Sequence, residues 1–355
     1  MKTRPLTDAT FEDAKSVILA RFPVSALEVL AKTMSNPLRA DCSEIGDIAY
    51  DETDRPVGFR AANRRRMHFC GDVLLGRVRG LTCRLKDSSK DVLPALCEAQ
   101  LSSPRGCTIA YSNTQSLPTE RRAIQMGATL GPESCTRMLC GVVRPVAFLV
   151  YSLLKRVAKI DLTQKWKATG ARFGKFEQVH GEVVVNLEDK VDKKFFDQLM
   201  AEYLRTNRGL VSDRDGDTVL WLFGNEIADG RVVILGARLN DKPIGYIALK
   251  TEAGARHWLV VDLFAIKNDK EILGTLLRSA TSFLRENTPA LVCKVIGFPT
   301  YVQPLLRKYF PHVRKTGVNW FSYNFLDASL SEKCVNGVDC EGNWFFGPFD
   351  GDFCM

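Results

Sequence analysis

From Trp258 to Ile266 the sequence reads WLVVDLFAI, eight apolar residues and one aspartate. A strand apolar on both faces must be covered on both, so this stretch is expected at the centre of a sheet with layers above and below it. Four polar positions follow, Lys267-Asn-Asp-Lys270. Beyond them Ile272, Leu273, Leu276, Leu277, Ala280, Phe283 and Leu284 recur at helical spacing, with Asn268 and Glu271 placed to cap the helix. Buried strand, short polar loop and amphipathic helix, in that order, are the basic step of an α/β fold.

The same step occurs earlier. Gly80–Leu85 reads as a buried strand, Lys86–Asp91 as a polar loop and Val92–Leu101 as an apolar-periodic helix. Around each step the surrounding elements match. In the first half, Ser25 and Glu28 form a capping-box pattern, and Ile45–Tyr50 and Val57–Ala62 flank the turn Asp51–Asp54. Strands at Arg66–Cys70 and Val73–Val78 continue the sheet, and a strand at Cys107–Tyr111, a short helix through Arg121 and Arg122, Gly127 and a closing strand at Cys135–Val143 complete it. In the second, a helix over Val191–Leu204 precedes strands at Val232–Arg238 and Ile244–Lys250. After the central step come Leu291–Ile296, a helix over Tyr301–Tyr309 and a closing strand at Asn319–Phe325. A chain of 355 residues is long for one core and suits two. The expected division is 1–145, a linker helix at 146–164, and 165–355.

Charge narrows the partners without choosing one. Lysine and arginine number 49 against 41 acids, a net +8 that favours anions: nucleic acid, lipid headgroups or coenzyme phosphates. Arg64-Arg65-Arg66 is the sharpest basic cluster and reads equally as a solvated hairpin loop, while no aromatic-basic motif of a nucleic-acid module is present. Eleven cysteines are scattered through a large chain, several in apolar patterns, and read as free thiols. Cys334, Cys340 and Cys354 lack zinc-site spacing. The amino terminus has no apolar stretch of the signal-peptide type, and Val146–Leu154 is too short to span a bilayer, so a cytoplasmic site is expected. The helix over 146–160, with Lys155, Arg156 and Lys159, is expected either to pack on one domain or to touch an anionic membrane.

The order of hairpin, strand, polar loop, helix, strand, helix and strand resembles the GNAT superfamily of acyl-coenzyme A N-acyltransferases, met twice. Val260–Ile266 resembles the family's central strand and Lys267–Gly274 its pyrophosphate loop; Tyr111-Ser-Asn113 through Arg122 to Gly127 resembles the strand, asparagine, helix and glycine that close such a domain. Asp213-Arg-Asp-Gly-Asp217 with Trp221, and Trp344 with Asp350-Gly-Asp352, are similar to tandem acyltransferase-like proteins found with bacterial polysaccharide and envelope genes. The resemblance implies two consecutive GNAT-like domains of mixed α/β architecture, the first degenerate. It implies acetyl-coenzyme A or another acyl-coenzyme A as cosubstrate and the amine of a small molecule or glycan precursor as acceptor. It places the coenzyme at Ala265, Ile266, Lys267, Asn268, Lys270 and Gly274, and proton transfer among Asp262, Tyr301 and Tyr309, with His257 a further candidate. The arginine-glycine-rich pyrophosphate motif is missing from both halves, and Ala123 and Leu306 stand at the family's tyrosine acid. A GNAT-fold binding module without chemistry and a basic nucleic-acid binder are the rival readings. The aromatic tail Trp344-Phe345-Phe346 is expected to pack on the second domain, since each ring buries a large area.

Overall fold

The computed structural model describes residues 1–39, 45–102, 106–113, 117–157, 173–251, 256–333 and 344–350. Two mixed sheets carry the chain. The first contains β1 (Lys2–Pro5), β2 (Gly46–Tyr50), β3 (Pro56–Phe69), β4 (Asp72–Arg84) and β5 (Ile109–Asn113), with α1 (Phe11–Leu19), α2 (Leu27–Met34), α3 (Val92–Ser102) and α4 (Leu117–Gln125) around them. Three of the expected short strands and the Gly80–Leu85 strand merge into the two long arms of one hairpin, β3 and β4. The arms turn at Cys70 and Gly71, both at positive φ, as a tight two-residue turn requires. The basic cluster therefore lies inside β3 and not in a loop. Arg64 and Arg65 are buried, and only Arg66 reaches solvent, beside Asp213 and Asp215. Helix α2 starts at Leu27 with Ala26 at its cap position, one residue beyond the expected Ser25.

The second sheet contains β8 (Glu177–His180), β9 (Val183–Glu188), β11 (Val232–Leu239), β12 (Lys242–Thr251), β13 (His257–Ala265) and β14 (Val292–Ile296). Helices α6 (Lys193–Thr206) and α7 (Gly216–Ala228) cover one face, and α8 (Lys270–Asn287) with α9 (Gln303–Tyr309) the other. Strand β13 is buried from Trp258 onward, as its apolar pattern, interrupted by Asp262 alone, demands. The cap of α8 is Asp269, not Asn268: its carboxylate accepts from the amides of Glu271 and Ile272.

The halves exchange their closing strands. β7 (Arg137–Val142), expected to finish the first half, pairs antiparallel with β14 from Val142↔Val292 to Met138↔Ile296. It is flanked on its other side by β15 (His312–Lys315). β16 (Phe321–Phe325), expected to finish the second half, lies between β5 and the short β6 (Thr129–Leu130). A second seam is made by β10 (Leu210–Ser212), which pairs with β3 and carries β17 (Trp344–Phe345). The tail is thus wedged between the halves, not laid on the second alone. Trp344 and Phe346 pack with Met67, Tyr111 and Phe321 of the first sheet, and Phe345 packs on Phe264 of the second.

In the chain α5 (Pro145–Val157) follows β7; residues 158–164 of the expected linker, Lys159 among them, lie outside the described residues. Phe148 and Tyr151 turn toward the body, whereas Val146, Leu149, Val150, Leu153 and Leu154 are exposed at 39–76%. The apolar stripe does not face a core formed by described residues.

Candidate functional site

Each sheet opens at its centre, and for the same reason. Strand β13 runs parallel to β14 only from His257↔Val292 to Val260↔Val295. There a bulge against β12 inserts Val261 between the pairs Leu249↔Val260 and Ala248↔Asp262. A bulge bends its strand, and β13 continues to Ala265 away from β14. Gly297, at φ 71, then turns the chain off the end of β14. In the first sheet β4 leaves β5 after Val78↔Tyr111, and a bulge lies just beyond, between Ala62↔Arg79 and Arg60↔Thr82. Parting parallel strands leave backbone donors and acceptors on both inner edges, which a linear, amide-bearing ligand can pair with as an added strand does.

At the wide end of the second opening stands the loop from β13 to α8. Ala265 is buried, Ile266 half-buried, and Lys267 and Lys270 exposed. Lys267 and Asn268 are both left-handed, at φ 54 and 52, a conformation that costs a lysine about 1 kcal/mol and a glycine nothing. Asn268 is buried with its Oδ1 3.5 Å from Tyr203 Oη. The first amides of α8 already bond Asp269, so an anion arriving at this helix end competes with a carboxylate for them. Gly274 is buried on α8, and a Cβ placed there would meet only ordinary contacts, Tyr309 Oη at 3.5 Å among them. Its carbonyl accepts from Tyr309 Oη at 2.9 Å.

Asp262 is wholly buried and bonded on every side. Arg214 Nε donates to its Oδ2 at 2.9 Å and Nη2 to its Oδ1 at 3.3 Å. Tyr246 Oη also donates to Oδ2, and the amide of Leu263 to Oδ1. Arg214 Nη2 goes on to Asp350 Oδ2 at 3.1 Å, and Asp350 takes the Ser212 hydroxyl and the Gly347 amide. The guanidinium is boxed by the rings of Phe264, Phe345 and Phe349. Burial pushes the Asp262 carboxyl up against the pull of Arg214. Burial also works against the Arg214 charge, but Asp262 and Asp350 outweigh it and hold that pKa well above its ordinary value. The two stretches likened to envelope-gene proteins, around Asp213 and around Asp350, meet in this ion network.

The three proton-transfer candidates do not converge. The partners of Asp262 lie on the α6–α7 face of the sheet, while Tyr309 is held against α8 on the opposite face. Tyr301 packs against the clusters of both faces, as a residue in the gap between them does. His257 begins β13, about 26 Å from Ala265 at the usual strand rise. Sequence reading missed Arg214, Tyr246, Ser212 and Asp350 as members of the site; the signal available was the pair of acidic stretches that contain Arg214 and Asp350.

No family profile and no curated protein matches the sequence. Solved structures do resemble the fold. A conserved protein of unknown function from Enterococcus faecalis, described as a probable N-acyltransferase, aligns at a TM-score of 0.58 with 10% identity, covering 92% of this chain and 72% of that one. GCN5-related N-acetyltransferases from Kribbella flavida and Anabaena variabilis each align at 0.53 with 11% identity, over 92% of this chain and 71% and 73% of theirs. The fold is that of the GCN5-related N-acetyltransferases. At such identities the likeness speaks to architecture, and the GNAT fold leaves the chemistry to the site.

Proposed function

We propose that this chain is an acyl-coenzyme A-dependent N-acyltransferase, with acetyl-coenzyme A or a related thioester entering the second opening. The observation that carries this reading is the parting of β13 from β14 at the Val261 bulge, with a lysine-bearing helix start at its wide end. The parted edges suit the amides of a pantetheine arm. Lys267 and Lys270 beside the amides of α8 suit its pyrophosphate. The buried Ala265 and half-buried Ile266 line the turn, Asn268 holds it to Tyr203, and Gly274 lies one turn further along α8. In the transfer, the acceptor nitrogen attacks the thioester carbonyl, a C–N bond forms and the C–S bond breaks. The nitrogen loses its proton to water, and the leaving thiolate takes one from Tyr301, which stands in the gap. Asp262 acts through Arg214 as a positioning residue, and Tyr309 by tying α9 to α8. The acceptor follows the sequence resemblance: an amine on a small molecule or a glycan or envelope precursor.

One observation favours a second reading, a GNAT-fold binding protein without transfer chemistry. Asp262 is committed to Arg214, and Asp269 to the amides a pyrophosphate would use. Calorimetry with acetyl-coenzyme A, followed by mass spectrometry of an amine panel incubated with it, separates the two. Transfer lowered by Tyr301→Phe at unchanged affinity supports the enzyme, and binding without transfer supports the module. No binding at all would sink both.

For α5 we propose contact with an anionic membrane surface. Its exposed apolar residues fall on one helical face, Arg156 is exposed, and no helix among the described residues is long and apolar enough to cross a bilayer. Sedimentation with vesicles containing one-third phosphatidylserine is expected to carry the protein down, and Leu149→Glu with Leu153→Glu to leave it in solution. Equal recovery of both proteins would rule the contact out.

A further inference from the structure

The first opening contains charge that the described chain does not neutralise. A cavity of about 220 Å³ lies where β4 leaves β5, roofed by α3 and α4. Arg60 and Arg79 line it and are 9% and 4% exposed. Among the described residues, Arg79 Nε and Nη2 and Arg60 Nε have no hydrogen-bond partner. Arg60 Nη1 donates to Cys97 Sγ. Arg122 lines the same cavity from α4, half-buried. Arg77, two residues before Arg79 on β4, donates to the Gln100 carbonyl at 2.6 Å and adds to the local positive field. Among the described residues, no aspartate or glutamate lines the cavity. Burial, and next the charge of Arg60, pushes the Arg79 guanidinium down to about 9.

Buried charges in folded proteins are paired, since stripping one of water without a counter-charge is costly. A water molecule would satisfy the free N–H groups and leave the charges uncompensated. We propose that the first opening binds a small organic anion, a carboxylate or phosphate monoester, held by Arg60, Arg79 and Arg122. The hydroxyls of Thr82 and Ser112 also line the cavity, and Leu93 and Met126 offer an apolar wall for a short carbon chain. The volume is below the ~300–1,000 Å³ of pockets for larger ligands, so it takes a metabolite-sized anion and not a whole coenzyme. The site stands whether or not the second half transfers an acyl group.

Calorimetry and thermal unfolding of the full chain test this with butyrate and with inorganic phosphate as probes, at matched ionic strength. One probe is expected to bind with 1:1 stoichiometry and to raise the melting temperature; which one does so distinguishes carboxylate from phosphate. Arg79→Met and Arg122→Gln are each expected to weaken that binding at least tenfold. Without ligand, Arg79→Met is expected to melt higher than the parent, because it removes an uncompensated buried charge. The proposal is overturned if neither probe binds, if Arg122→Gln leaves the affinity unchanged, or if ligand-free Arg79→Met melts lower than the parent or fails to fold.

Discussion

The two openings share a backbone plan and differ in where their charges go. In the second, the arginine is spent internally: Arg214 is shared between Asp262 and Asp350, and the exposed lysines, Lys267 and Lys270, stand outside at the rim. In the first, Arg60 and Arg79 line a cavity with no acid on its wall among the described residues. A bulge beside each gap thus accompanies two differently charged openings, for which we propose different ligands, a long one entering from a rim and a short anion enclosed. The difference arises from a few side chains on equivalent strands, not from topology.

The sharpest way to break the comparison is to remove the tail that is wedged between the halves. Deleting residues 344–355 withdraws Trp344, Phe345, Phe346 and Phe349, all nearly fully buried, and leaves Arg214 with one acid. Aromatic truncations in cores cost about 3–5 kcal/mol each, so chemical denaturation is expected to show loss of most of the chain's stability. A deletion variant melting with the parent would mean that the tail is not part of either core. Next in size is Arg214→Met, which strands two buried carboxylates and is expected to cost about 3–5 kcal/mol in urea unfolding. A cost near zero would contradict the anchoring role given to Arg214. Arg79→Met in the first opening is expected to have the opposite sign, stabilising the ligand-free protein by about 1–4 kcal/mol.

The opposite signs expected for two buried arginines show what the sequence does and does not convey. The β13–loop–α8 step was legible because a nearly unbroken apolar strand and a helical stripe are local patterns, and both elements lie where those patterns put them. The exchange of β7 and β16 was not, because a short amphipathic strand looks the same whichever sheet it joins. In the sequence, Arg64-Arg65-Arg66 reads as a solvated hairpin loop as readily as a phosphate contact, since arginine is rarely buried; the burial of Arg64 and Arg65 depends on neighbours distant in the chain, such as the Phe349 carbonyl that accepts from Arg65. The candidate site was legible as a loop but not as a network, for Arg214 and Asp350 are 136 residues apart in the chain.

The smallest expected effect concerns the seam where β10 meets β3. Burial raises the Asp213 carboxyl, but His68 and Arg66 outweigh it and leave the pKa below the ordinary value. A carboxyl depressed on folding contributes stability that is complete above its unfolded pKa, near ~4, and is lost as pH falls through the folded value. Asp213→Asn is therefore expected to be about 1 kcal/mol less stable than the parent at pH 7, with the gap closing below the ordinary carboxylate range. A gap that does not depend on pH would assign the loss to packing.

The division of labour between the openings is tested most directly by crossed calorimetry. Acetyl-coenzyme A and the small-anion probe are each titrated into the parent, into Lys267→Glu with Lys270→Glu, and into Arg79→Met. Charge reversal at the rim is expected to abolish acetyl-coenzyme A binding and leave the small anion within twofold of the parent, while Arg79→Met does the reverse. If one variant weakens both ligands equally, or if acetyl-coenzyme A binds the rim variant as it binds the parent, the two openings do not have the separate roles assigned to them.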